Sequence, residues 1–562
     1  MDDEITPTNL PPSNLSPLTT DAEAVSELPV RFAAAGIAAF YLYLADEASP
    51  GTSRRLHALR HALSLNPPPG VRDIVVGYTS LLIEHDPHVA QAALLGWVQS
   101  RLDTDPDAPP TRHHDIVVRY GEAADRGWLE PTLGLDWPDI VARHQQPTYT
   151  VAFIGFTPGF PYLLGLPDAL RTARRDTPRQ DIPAGAVAIA GSQTGIYPAP
   201  SPGGWWVLGR TDAALYHPDR DPPTLLQPGD TVRFVDAATI QTSDGSIRDS
   251  NSKNDNDNDK NSGDNDDGDS NDDSDEAVEV VDTWPNSASL QSGPRWGFAH
   301  YGLAQSGVLD PVAFEVGNAL VGNAPDAVAL EVMVHPQEFV ARRDCRVCLT
   351  GGGFRAWLGG KAVAGWRAFD WRQGERLELS PDRDTGLTGY LCVAGGFAAR
   401  HDHGSASTDA RGRLGGKDGR YLQRGDRLSR ATTTATNREQ PYPGTVRYPE
   451  RIEVRIYPGP QYDEAAFGRL LGSSYHLSGL NRMGARLSGP PLTLPDYDVL
   501  SEGSPWGAVQ IPADGQPIVL LSDRGRTGGY PKPAVCDVHD LWQLAQAKVG
   551  TEVWFVLGTA QR

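Results

Sequence analysis

The chain has 562 residues, 39% hydrophobic and 22% charged, enough apolar material for several cores at about 100–200 residues per domain. A net charge of −21 disfavours nucleic acid or an anionic membrane as a partner, and no run of about 18 apolar residues offers a membrane span. Nearly half of that charge is local: between Asp249 and Glu276 stand twelve acidic residues and two lysines, a net of −10.

Residues 1–29 are acidic and rich in Pro, Ser and Thr, without a basic-then-apolar leader, and read as a disordered tail of a cytoplasmic protein. Residues 30–110 alternate strand and helix, as a small α+β domain does. Leu56, Leu59, Ala62 and Leu63 share one helical face, with Thr52 or Ser53 placed to cap it. "DIVVGY" and "SLLIEHD" read as short strands around Tyr78–Thr79, and Asp86–Pro87 as the start of a second helix.

From 111 to 240 the pattern turns to strands, "HDIVVRY", "TYTVAFIGF", "AVAIAG", "WWVLGR" and "TVRFVD", parted by Gly/Pro loops and one short helix, "DWPDIVARH". Many short strands with frequent turns indicate a barrel or sandwich. Residues 241–279 read as a disordered linker, because the acidic run they hold, Asp249 to Glu276, has no apolar side chain to bury and lacks the spaced ligands of a calcium loop.

Strands resume over 280–435 and 436–562, divided at "ATTTATNREQPYPG", with helices starting at Asp310–Pro311 and Asp463. One motif recurs: "LLQPGDTVRF", "DWRQGERLEL", "YLQRGDRLSR" and "AKVGTEVWFV" each place a Gly turn before an alternating strand, which suggests that similar barrels close with the same turn. Cys345 and Cys348 have zinc or redox spacing, but in a strand residues three apart face opposite ways, so buried structural cysteines are the better reading. No metal site is expected.

"GFTPGFPYLLGLP" (155–167), followed by "DIPAGAVAIAGSQTGIYPAPSPGGWWVLGRT" (181–211), resembles the KipI family, also known as the B subunit of 5-oxoprolinase or as allophanate hydrolase subunit 1, over about 31–236. "AQSGVLDPVAFEVGNALVGN", "YLCVAGGF", "NRMGARLSGP" and "GAVQIPADGQPIVLLSDRGRTGGYPK" resemble the KipA family, the C subunit of 5-oxoprolinase, over about 284–558. Together they look like the carboxyltransferase region of urea carboxylase. The resemblance implies a mainly β chain with cyclophilin-like β-barrels, one in the first half and two in the second.

It further implies a fused B/C component of an ATP-dependent 5-oxoprolinase, with ATP and Mg2+ as co-substrate, acting beside a separate A subunit of the LamB/YcsF family. The alternatives are a carboxyltransferase component of a biotin-dependent system and a regulator of a sensor kinase. No Walker-type phosphate loop and no Met-Lys-Met biotin site occur. The two halves are expected to pair, and a homo-oligomer is left open. Gln291-Ser292 and Ala406 depart from the family's Gln-Asp and Arg, removing a charge from each place.

Two stretches carry the candidate site. Phe156, Gly159, Phe160 and Tyr162 would line a pocket at a barrel mouth, or else form a plug packed against the next domain. In "SDRGRTGGYPK", Arg524 and Arg526 could clamp an anion and Lys532 could stabilise developing charge, with Asp523 and Tyr530 beside them. On spacing alone this is a solvated hairpin tip; the family resemblance favours function. Gln193, Tyr197, Ser201 and Trp205 suit a small polar ligand around a Gly-rich turn. His144 and His300 are candidate general bases, a helix-end His being also a favourable C-terminal cation. Arg482 and Arg486 are anion-binding or interface residues.

Overall fold

The computed structural model describes residues 30–102, 109–175, 177, 179–241, 275–382, 386–431, 448, 451–497 and 499–559. The expected tail and most of the linker lie outside them. Among the described residues no helix is long and apolar enough to cross a membrane.

The first unit is a four-stranded antiparallel sheet in the order Arg31–Ala34, Ala39–Tyr43, Ser80–His85, Val71–Val76, backed by helices Pro50–Leu65 and Gln91–Leu102. Leu56, Leu59 and Leu63 pack into the core beneath it. The first helix starts earlier than Thr52 or Ser53 would set it: Ser49 is the cap, its hydroxyl accepting from Thr52 N, and Pro50 occupies the first turn, where a missing N–H costs nothing. The second helix starts later than Asp86, which instead closes a turn by accepting from His88 N and from Arg72.

The second unit is a seven-stranded sheet in the order Trp206–Arg210, Ala186–Ala190, Gln193–Ile196, Pro161–Leu164, Tyr149–Ile154, Thr231–Asp236, His113–Val118. Its two edges meet where Arg119 and Arg210 exchange backbone hydrogen bonds of 2.7 and 3.3 Å, which nearly closes a barrel. Side chains alternate along these strands. Val151, Leu163, Ile189 and Leu208 fill the interior, while Ala152, Phe153, Tyr162 and Val207 face outward onto the first unit. The helix Trp137–Gln145 forms as expected, with Asp136 capping it, and is preceded by a helix not foreseen, Arg126–Leu133, which ends on Gly134 at φ 64°.

The third unit packs a six-stranded sheet against a five-stranded one. Its first strand, Glu276–Asp282, begins inside the expected linker, because Ala277, Val278 and Val280 are buried. The fourth is a closed seven-stranded barrel whose last strand, Glu552–Leu557, returns parallel to its first, Arg451–Pro458. Thr231–Asp236 returns parallel to His113–Val118 in the same way. All four recurring turns carry glycine at positive φ: 92° at Gly229, 81° at Gly374, 87° at Gly425 and 92° at Gly550. Asp310 and Asp463 cap their helices through Ala313 N and Ala466 N. The four cysteines are buried and free; Cys345 and Cys348 belong to opposite faces of the strand Cys345–Gly351.

Candidate functional site

The segment 522–532 does not end in water. Arg524 is 1% exposed; it donates to Glu84 Oε1 (2.6 Å), Gln305 Oε1 (2.8 Å) and the carbonyl of Ser504 (2.9 Å). Arg526 pairs with Asp73 Oδ2 at 3.1 Å and with Glu84. Lys532, fully buried, pairs with Glu502 Oε1 at 3.0 Å and donates to the carbonyl of Tyr530. Glu502 is held as well by Tyr43 Oη (2.6 Å) and Gln461 Nε2 (2.8 Å). Local turn chemistry suggests a solvated tip, but carboxylates of the first unit, more than four hundred residues away, draw Arg524 and Arg526 inside. Tyr530 alone stays exposed.

Burial raises the Asp73 carboxyl to about 6 even though Arg526 opposes the shift. Burial acts the same way on Glu84, but Arg526 and Arg524 overcome it and hold this carboxyl below its usual value. The Arg524 guanidinium is pushed down to about 9 by burial. Two acids and two cations thus form a neutral buried cluster between the first unit and the last barrel, a geometry that is strongly destabilised when one member is lost.

The aromatic stretch meets the same cluster from the other side. Phe156 sits at φ 62°, a left-handed conformation unusual for a bulky side chain. It is held there from both ends, its N–H donating to Thr527 Oγ1 (2.9 Å) and its carbonyl accepting from Arg411 Nη2 (2.9 Å). Gly155 needs to be glycine, since a Cβ there would lie 2.1 Å from Thr527 Oγ1. Gly159, at φ 77°, donates to the carbonyl of Tyr301. The glycines of this stretch bring backbone against other units of the same chain.

Phe160 and Tyr162 are buried on the outer face of the barrel, against Trp205, Tyr197 and Tyr78 at centroid distances of 4.9–6.0 Å. They form the interdomain plug, because the two-residue period of the strands turns them away from the barrel interior. Gln193 and Ser201 are buried as well, with Gln193 Oε1 and Ser201 Oγ lacking a partner among the described residues.

His144 lies elsewhere, inside the barrel. Its Nδ1 meets Tyr120 Oη at 2.7 Å, its Nε2 meets Thr194 Oγ1 at 3.0 Å, and Phe234 stacks on it. Burial pushes its pKa down to about 3, so the ring is neutral, and helix geometry points it into the core rather than toward a ligand. His300 packs at a tilt against Tyr301, with ring centroids 3.9 Å apart and planes 42° from parallel, and burial and Arg60 both depress its pKa. Arg486 projects from the exposed face of its barrel strand, apart from the cluster.

A second buried network escaped sequence reasoning. Arg482 binds Glu331, Asp523 (2.8 and 3.0 Å) and the carbonyl of Gly307 (2.6 Å), and Glu331 accepts from Tyr390 Oη at 2.7 Å. Asp523 is therefore a structural partner here, tying the last barrel to the third unit. Ser292 Oγ accepts from Ala406 N at 3.2 Å, so the two departures from the family pattern lie side by side.

Two family models match the chain: the carboxyltransferase domain, subdomains C and D, over residues 30–226, and the carboxyltransferase domain, subdomains A and B, over 301–557. The second half is similar to the C subunit of 5-oxoprolinase from Escherichia coli, 38% identical over 274 residues, 48% of this chain and 87% of that one. The first half is similar to the B subunit of 5-oxoprolinase from Haemophilus influenzae, 41% identical over 172 residues, 30% of this chain and 76% of that one. The crystal structure of TTHA0988 spans both halves, with a TM-score of 0.77 and 37% identity, covering 92% of this chain and 99% of that one. The chain belongs to the carboxyltransferase-domain family that includes the B and C subunits of 5-oxoprolinase, and carries a B-like and a C-like half in one polypeptide.

Proposed function

We propose that this chain is the joined B and C component of an ATP-dependent 5-oxoprolinase, opening 5-oxo-L-proline to L-glutamate together with a separate A subunit of the LamB/YcsF family. One observation carries the reading: the B-like half supplies Asp73 and Glu84, the C-like half supplies Arg524 and Arg526, and the four are buried against one another. Acids of one half meet cations of the other across a dry contact, and this complementarity fixes one docked arrangement, in which the halves work as one body in this reading.

In this reading Arg524, Arg526 and Lys532 are positioning residues. They fix the hairpin against the first unit and place Thr527 under the strained Phe156, a kind of backbone distortion that gathers at functional sites. The lactam of 5-oxoproline is a stabilised amide, which is why its opening is coupled to ATP in this proposal. The glycine run Gly351–Gly353 does not fit nucleotide phosphates: a Cβ at Gly351 would lie 2.3 Å from the carbonyl oxygen of Thr388, and one at Gly353 2.8 Å from Leu387, so the run is packed against its neighbours.

The test is glutamate release from 5-oxoproline by the purified chain with the A subunit and ATP. The proposal expects release only when all three are present. No release with the complete mixture, or undiminished release without this chain, would end it.

A further inference from the structure

The third unit carries an open groove of about 370 Å³, within the size range of small-molecule sites, that plays no part in the contact between the halves. One wall is Thr283, Trp284 and Asn286, just after the strand Glu276–Asp282; the other is Tyr421, Gln423 and Arg424. Trp284 is 53% exposed, an unusual position for an indole in a soluble fold. One of its faces stacks on His335, with ring centroids 4.9 Å apart and planes 16° from parallel. That contact fixes the ring and leaves its other face open.

The charges of the groove are arranged to the same end. Arg420 is held by Asp426 through two hydrogen bonds of 2.7 Å and is already neutralised. Arg424, four residues on, makes no ion pair with any described residue, although the chain carries an excess of acid. A flat π-surface fixed by His335 and an exposed guanidinium, both at one hollow, are complementary to a ligand with a planar ring and a negative group. The hollow is concave rather than flat, which favours a small molecule over a protein surface.

We infer that this groove binds a nucleoside phosphate, its base stacked on Trp284 and its phosphates facing Arg424. The inference rests on the proposed function for its choice of nucleotide, ATP, and can fail independently of it. Isothermal titration of the full chain with Mg-ATP, adenosine and tripolyphosphate tests it. Mg-ATP is expected to saturate one site, with adenosine and tripolyphosphate each at least tenfold weaker. Trp284→Ala and Arg424→Glu should each weaken Mg-ATP at least tenfold without changing the unfolding profile, because both side chains are exposed.

Failure of Mg-ATP to bind, or equal binding by parent and both variants, would overturn the inference. So would variants that keep nucleotide affinity but lose the A subunit, since the groove would then be a protein contact. Groove-dependent ATP binding without glutamate release would sustain the inference and sink the proposed function. Glutamate release with no ATP binding at the groove would do the reverse.

Discussion

Replacing Glu84 by glutamine isolates the contact between the halves. Glu84 is 3% exposed and serves three donors at once: Arg524 Nη2 at 2.6 Å and Trp506 N at 3.2 Å on Oε1, and Arg526 on Oε2. Glutamine keeps one acceptor oxygen but turns an NH2 toward a guanidinium. Arg526 retains Asp73, whereas Arg524 is left with the neutral Gln305 and the Ser504 carbonyl. One buried cation thereby loses its counter-charge, a change that costs about 3–5 kcal/mol, or roughly a thousandfold in the opening equilibrium. Hydrogen exchange of peptides covering 74–85 and 501–528 reads that opening locally, which suits a chain of several domains better than one global midpoint. Replacing Asp73, Glu84, Arg524 and Arg526 together by leucine should restore most of the protection, since an apolar cluster owes no charge compensation. Exchange in Glu84→Gln within about 1 kcal/mol of the parent would refute the reasoning.

Other outcomes follow from the same geometry. Gly155→Ala should destabilise the contact by about 1–3 kcal/mol through overpacking against Thr527, and Thr527→Ala should relieve much of that in a double-mutant cycle; additive effects would mean that the two residues do not touch. His144 and His57 have pKa values lowered to about 3 and about 4, below the unfolded value near 6.5. The unfolded chain therefore binds more protons between those limits, and stability should fall as pH drops from about 7 toward 4. Removing His144 as His144→Gln should flatten part of that slope in urea titrations at pH 7 and 5; an unchanged slope would contradict its burial as a neutral ring. Asp73, with its carboxyl raised to about 6, contributes the opposite sign: its cost is fully present above pH 6 and is relieved below about pH 4, so Asp73→Asn should steepen the loss of stability on acidification between those values.

What the sequence disclosed was mostly local. The caps at Asp310 and Asp463, the strand holding Cys345 and Cys348 and the glycine turns before the closing strands are set by neighbours a few residues apart. The first helix was misplaced by three residues because Ser49 and Thr52 are both good caps and only the fold chooses between them. The charged hairpin stood out, but its partners Asp73 and Glu84 read as ordinary strand residues, and nothing local marks an acid whose counter-charge lies at the far end of the chain. For the aromatic stretch the sequence offers a pocket lining or a packed plug, and the strain at Phe156 is seen only in the structure. That the stretch faces the first unit follows from strand register, which the sequence leaves open by one residue. Trp284 and Arg424 gave no motif, because the groove joins two loops some 140 residues apart.

Whether the two halves work while docked can be measured with a covalent tie. Cysteines introduced at Gly155 and Thr527 provide it: the change at 527 removes the Oγ1 and Cγ2 that crowd a Cβ at 155, and the two Cβ positions, 3.0 Å apart, need to part by about 0.5 Å to reach the roughly 3.5–4.5 Å of a disulfide. Oxidation should join them in high yield, with glutamate release in the presence of the A subunit and ATP kept at the reduced level. A bond that does not form, or one that abolishes release until it is reduced, would contradict docked action.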